Sequence, residues 1–345
     1  MTYQRPLGLV IGALAFVATG LALSQTARLP GPIGDVLHAN IAADRDTTAL
    51  FYTEVRGWQR WPVFQPATMP LPNLVADAVR LDQPTGEERF TALVTLLQDQ
   101  DLVPEIRPFR SALSDGSSIA GRNVEVAIGD GVRDIVVGAH ADAVTLEDGT
   151  LVHAMVDNAA AVAVLARVAK TLPPHELHHR IRVVFFDLEE RGLLGSRHFV
   201  DSNNPDRVAG MINLDIAGYG DTVLYGPSAA PGNEAVYRAV RLACGQGEHQ
   251  CLEFAQFPTS DDRSFQTASI PNVSLGILPR QQAHQLWLIL NGDEQRGIRD
   301  DFVPPILQTI HTPNDHADQL DAEGMTLAYN TVMNIVLQLD QQLAR

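Results

Sequence analysis

The chain has 345 residues, the length of one large domain or two small ones. Twenty-five Lys and Arg residues face 41 Asp and Glu residues, for a net charge of −16. With a single lysine, Lys170, and no basic run, such a chain is a poor partner for phosphate backbones, which excludes a nucleic-acid-binding role. A hydrophobic content of 45% excludes a mainly disordered protein, and two cysteines exclude both a disulfide-framework miniprotein and a Cys-rich zinc finger.

Residues 7–23, LGLVIGALAFVATGLAL, carry no charge and follow Arg5. Ala22 and Ser24 give a small-x-small pattern behind the apolar run, so residues 1–24 read as a secretory signal. The run also reaches the lower limit of a membrane span. An uncleaved anchor attaching the chain to a membrane through residues 7–23 is therefore the alternative, and a buried core helix is the third reading. Signal or anchor places the protein outside the cytoplasm, periplasmic or secreted. Export permits a disulfide, and Cys244 and Cys251 in ACGQGEHQC are expected to form one, with two unrelated thiols as the alternative. Residues 25–84, rich in Pro, Asn and Asp with Trp58, Trp61 and Phe64 among them, read as an arm packed on a main domain that spans 85–345.

In that domain TGEERFTALVTLLQDQ has a Thr cap, early acids and apolar residues at helical spacing, which predicts a helix over 86–100. NVEVAI (123–128) and DIVVGA (134–139), separated by Gly129, Asp130 and Gly131, predict a hairpin. Helices are expected over 157–172, 193–202, 233–244 and 323–343. Near-continuous apolar runs at 181–187, 210–215 and 272–278 predict strands. The alternation argues an α/β fold: a mixed, mostly parallel central sheet with helices on both faces. Residues 279–308 break the rhythm with polar stretches, WLIL and the pair Pro304–Pro305, and read as an excursion over the sheet edge.

Open α/β sheets place ligands beyond the carboxyl ends of their strands. DIVVGA runs into His140 and Asp142, IRVVFFD into Glu189 and Glu190, and GMINL into Asp215, while Asp157 opens the next helix. Each alone has an ordinary explanation: an acid at a helix N-terminus, a solvated turn, a loop cap. Together, Asp142, Asp157, Glu189, Glu190 and Asp215 are five carboxylates bound for one crevice, where only Arg191 offers a nearby positive charge. Like charges so close need a counter-charge, and imidazole with carboxylate suits Zn²⁺. Asp142, two residues after His140, can accept the second ring N–H of that histidine. Of the adjacent Glu189 and Glu190, one can ligate and the other act as general base. His311, in IHTPNDHADQL, is the candidate distal ligand.

In this order, AHAD (139–142), VDNAA (156–160), FFDLEERGLLGSRHF (185–199), NLDIAG (213–218), SDDRSF (260–265) and IHTPND (310–315) resemble the co-catalytic zinc aminopeptidase family, whose relatives include glutaminyl cyclases. The resemblance covers residues 85–343. It implies two Zn²⁺ per chain: His140 and Asp215 on one, Glu190 and His311 on the other, Asp157 bridging, Glu189 as general base and Asp142 orienting His140. It implies an exported metallo-aminopeptidase acting on peptides with a free N-terminus. A glutaminyl cyclase with one zinc is the alternative, and a non-catalytic binding protein on the same scaffold is the third. Three departures stand out: NAAAV where a Gly is usual, Asp262 where a His often follows the Asp, and a long stretch between Asp215 and His311. His175, His178 and His179 in PPHELHHR read as a solvated turn. The sequon at Asn272 falls in a buried strand and is discounted.

Overall fold

The computed structural model describes residues 64–113, 115–228, 232–244, 250–292 and 302–344. The expected signal or anchor at 1–24, and the arm as far as residue 63, lie outside the described residues. Among the described residues, no helix is long and apolar enough to cross a membrane.

The chain begins with helix α1 (Pro72–Val79) and helix α2 (Gly86–Asp99). Thr85 caps α2 as expected from TGEE: its hydroxyl oxygen accepts from the Glu88 N–H and its hydroxyl donates to the Glu88 carboxylate. Strands β1 (Glu105–Ala112), β2 (Ser118–Ile128) and β3 (Asp134–His140) follow, then a π-helical turn (Met155–Ala159) and helix α3 (Ala160–Thr171). Next come β4 (Arg180–Phe186), α4 (Leu194–Ser202), β5 (Val208–Leu214), β6 (Thr222–Gly226), α5 (Glu234–Cys244), β7 (Gln250–Glu253), α6 (Asp262–Thr267) and β8 (Asn272–Leu278). Helices α7 (Arg280–Asn291), α8 (Pro305–Thr309) and α9 (Ala322–Leu343) complete the described chain.

The eight strands form one sheet in the order β1-β2-β4-β3-β5-β8-β6-β7. The centre, β4-β3-β5-β8, is parallel, and β1, β2 and β6 add antiparallel pairings. Strand alternation explains why both faces are covered. Ile135 and Val137 of β3, with Ile181, Val183 and Phe185 of β4, join a core with α1, α2, α3, α5 and α9. Val136, Val184, Phe186 and Met211 point the other way, onto Phe199 of α4 and Phe265 of α6. The fold is the mixed α/β arrangement expected from the sequence.

Four expectations are corrected. Residues 123–128 and 134–139 are both strands, but not a hairpin: β4 lies between them, antiparallel to β2 and parallel to β3. The connection passes so close to the start of β4 that a Cβ on Gly131 would stand 2.5 Å from the His178 carbonyl oxygen. The apolar runs mark strands without naming their partners. Strands β1, β6 and β7 were not foreseen; β1 is an edge strand that buries only Phe109 and so lacks an apolar signature. The polar start of the 279–308 stretch is helix α7, with Gln285 and Trp287 buried, packed with β6 and β8 residues in a third apolar cluster. His179 is no solvated turn residue: it is buried and its Nδ1 lies 2.9 Å from the Asp340 carboxylate of α9. Asn272 is buried in β8, as the discounted sequon required.

The described part of the arm packs on α9. Phe64 meets Tyr329 edge-on, the Ala67 N–H donates to the Asn330 side-chain carbonyl while the Ala67 carbonyl accepts from the same side chain's amide N–H, and α1 delivers Leu74 and Ala78 to the core. Cys244, the last residue of α5, is bonded to Cys251 of β7.

Candidate metal centre

The carboxyl ends of the central strands converge on one crevice. His140 is the last residue of β3, Glu189 and Glu190 follow β4, and Asp215 follows β5. Asp157 sits in the π-helical turn, and His311 follows α8. Ala154, Leu188 and His311 all have positive φ, at 51°, 59° and 59°. Non-glycine residues adopt this region rarely, and such strain concentrates at functional sites.

The carboxylate of Asp157 lies between two imidazoles. Its Oδ1 is 2.9 Å from His140 Nε2 and its Oδ2 is 3.0 Å from His311 Nε2. On the first side, Asp215 Oδ1 is 3.9 Å from His140 Nε2; on the second, Glu190 Oε2 is 3.3 Å from His311 Nε2. Donor atoms of His140, Asp157 and Glu190 all lie within 4.8 Å of one another. His140 is almost wholly buried, whereas the His311 side chain is 53% exposed. Glu189 lines the same cavity as these five residues.

Asp142 faces both the imidazole and the paired glutamates. Its Oδ1 is 3.5 Å from His140 Nδ1, while its two oxygens accept the backbone N–H groups of Glu189 and Glu190, each at 3.1 Å. It therefore holds the paired glutamates as well as facing the imidazole.

Two residues that the sequence did not single out complete the scaffold. Asp315, fully buried, accepts the Val156 N–H at 2.6 Å and the Asp157 N–H at 3.0 Å. Arg89 of α2, also buried, donates to the carbonyls of Leu81, Ala141, His153 and Ala154. It ties the loop after β3 to the segment before Asp157. A signal for Arg89 did exist: it occupies the same helical stripe as Leu93, Leu96 and Leu97, where a charge demands buried partners.

Without a cation, protons balance these charges. Burial pushes the Glu189 carboxyl up to about 9, with Asp261, Asp215 and Glu190 adding to the effect against the pull of His140. Burial and the nearby Asp157 raise Asp215 to about 6. Burial disfavours a charged His140, yet Asp142, Asp157 and Glu189 hold it well above the usual imidazole value. Hydrogen bonds to Asp157 and Glu190 raise His311 to about 10. Asp157 itself would be raised by burial, but its two imidazole partners hold it well below the usual carboxylate range. Asp261 and Asp262 are buried as well; burial raises them to about 7 and 8.

The donor set fits a divalent metal. Imidazole nitrogens and carboxylate oxygens suit zinc, Asp157 offers one oxygen to each side, and Glu190 Oε1 is buried with no hydrogen-bond partner. A cavity of about 240 Å³ adjoins the donors, walled by Ile216, Leu224, Phe257, Leu278, Leu286 and Ile306.

No curated protein matches the chain in sequence comparison. Among solved structures, it is similar to an aminopeptidase from Aneurinibacillus sp. strain AM-1, with a TM-score of 0.61 and 15% identity over 77% of this chain and 93% of that one. It resembles the Porphyromonas gingivalis glutaminyl cyclase with a TM-score of 0.55 and 20% identity over 78% and 96%. The zinc aminopeptidase BSAP from Bacillus subtilis gives a TM-score of 0.50 and 21% identity over 63% of this chain; the match spans about half, 49%, of that longer chain. These likenesses establish the shared fold. Residues 123–336, more than half of the chain and all six residues gathered in the crevice, match peptidase family M28. The chain belongs to that family.

Proposed function

We propose that the protein is an exported zinc aminopeptidase that removes N-terminal residues from peptides. The observation that carries this reading is the Asp157 carboxylate shared between His140 and His311, with Glu190 and Asp215 flanking it on opposite sides. That arrangement supports two metal positions: His140, Asp215 and Asp157 would hold one ion, and Asp157, Glu190 and His311 the other. Zinc bound there supplies Lewis acidity toward water and toward the scissile carbonyl. Glu189, among the described residues the one cavity-lining carboxylate left without a ligand role, takes the proton of the attacking water and returns it to the departing amine. Asp142 keeps Glu189 and Glu190 in place through their backbone N–H groups. The acidic crevice attracts the free α-amine of the substrate, and the apolar wall from Leu224 to Ile306 accommodates an apolar N-terminal side chain.

Residues 7–23 and the Cys244–Cys251 bridge support an extracytoplasmic location. Whether the apolar run is cleaved or retained as an anchor does not alter the site. His140 with Asp142, and Asp215 within NLDIAG, favour the peptidase over a one-zinc glutaminyl cyclase. The test is to measure bound zinc and to assay aminoacyl anilides beside a peptide with N-terminal glutamine. Anilide hydrolysis with two zincs per chain is expected. Cyclisation of the glutaminyl peptide with one zinc would overturn the proposal.

A further inference from the structure

A second cavity, of about 580 Å³, also has Glu190 in its wall, and is within the size range of small-ligand clefts. Glu190 lines both cavities, so the two meet at the proposed metal ligand. Phe90, Ile119 and Leu151 give the second one apolar surface, and six charged residues line it: Arg89, Arg122, Arg191, Asp142, Asp187 and Glu190.

Five of these six are committed elsewhere. Arg89 is spent on four backbone carbonyls. Arg122 grips Glu87 in a two-pronged pair and lies over the Phe90 ring. Asp142 accepts two N–H groups, and so does Asp187, from Arg122 and Leu188. Glu190 belongs to the metal centre. Arg191 is the exception: it is exposed, and among the described residues it has no hydrogen-bond or ion-pair partner. In a chain with 41 acids to 25 bases, an unpaired guanidinium next to a proposed metal ligand is a feature to be explained. A planar guanidinium is the side chain best matched to a carboxylate.

We propose that Arg191 binds a carboxylate on the departing segment of the substrate, so that the second cavity receives the residue following the scissile bond and favours peptides bearing a negative charge there. This inference rests on the aminopeptidase reading. The carboxylate has two possible sources, the C-terminus of a dipeptide or an acidic side chain in the second position.

The experiment compares kcat/KM of the zinc-loaded protein on Leu-Ala, Leu-Ala-amide, Leu-Asp-amide and leucine p-nitroanilide. One or both carboxylate-bearing peptides should exceed Leu-Ala-amide by about tenfold, the scale of one charge-assisted hydrogen bond. Leu-Ala alone in excess identifies the C-terminus as the source, and Leu-Asp-amide alone the side chain. In Arg191→Gln the ratio should collapse toward one, and Arg191→Lys should keep part of it. A second measurement needs no turnover: calorimetric titration of the metal-free protein with a reduced-bond Leu-Ala analogue should show weaker binding for its C-terminal amide when the C-terminus is the source. Equal kcat/KM across the peptides in the natural protein, or a preference that survives in Arg191→Gln, would overturn the inference. Failure to cleave the anilide as well as every peptide would overturn the aminopeptidase reading, and this inference with it.

Discussion

Asp315 does for the Asp157 turn what a capping side chain does for a helix: one carboxylate satisfies two successive N–H groups and fixes where the next side chain points. Groups that orient a metal ligand are worth roughly 10- to 100-fold in metal affinity. Asp315→Ala should therefore weaken zinc binding by about that factor in a competition titration with a chelator, although Asp315 is not itself a proposed ligand. Glu189→Gln tests a different role. It removes the proton acceptor and spares the donors, so zinc content should be unchanged while kcat falls by roughly 10²- to 10⁴-fold. Zinc loss in that variant would show that Glu189 and Glu190 have exchanged functions. These two residues also mark what a sequence reveals. Glu189 was legible because an acid pair after an apolar strand is chemically conspicuous. Asp315 was not, because its partners are backbone N–H groups of a segment distant in sequence, and backbone atoms are the same in every residue; Arg89 left only the trace of a charge in an apolar helical stripe, with nothing to name its partners.

At the level of elements, the central parallel strands, long and buried on both faces, were legible, whereas β6, equally buried but only five residues long, was not. β3, β4, β5 and β8 announce themselves as unbroken apolar runs, whereas β1 escaped because it lies at the sheet edge. Pairing was less legible than existence, as the separation of β2 from β3 shows. One buried side chain records the true neighbours. Arg182 of β4 forms a two-pronged pair with Glu125 of β2 and reaches Asp134 of β3, across both strand boundaries. Its guanidinium also lies over the Phe199 ring of α4. Arg182→Ala would strip the buried Glu125 of its partner, while Asp134 keeps Arg180, and should cost about 3–5 kcal/mol in denaturant unfolding. The Cys244–Cys251 bridge fastens α5 to β7, and the segment after β7 carries Phe257 into the cavity wall. Closing so short a loop is worth about 2–3 kcal/mol by the chain-entropy estimate. The double variant Cys244→Ser/Cys251→Ser should lose that much stability.

Across the whole molecule, the crevice acids set how metal-free protein responds to pH. Asp262, Glu189 and His311 have folded-state values raised to about 8, 9 and 10, from ordinary values of 3.8, 4.5 and 6.5. A raised value means that the folded state holds protons which the unfolded chain has already released, so stability falls as pH rises through this window. Asp157 and Asp340, both lowered, are ionised in either state there and contribute no slope. The Tm of metal-free protein should therefore be lower at about pH 9 than at about pH 7 in scanning calorimetry. The zinc-loaded protein, its charges balanced by cations instead of protons, should show a smaller drop. A metal-free Tm that holds steady or climbs would mean that the acids do not crowd one another.

The guanidinium of Arg89 reaches three separate stretches of backbone from a helix that ends well before residue 123, where the family match begins. The boundary drawn by shared ancestry and the boundary drawn by mechanical support are thus different lines. Trimming the polypeptide to the matched span would keep every proposed zinc donor and remove the clamp that holds two of their loops at the right spacing.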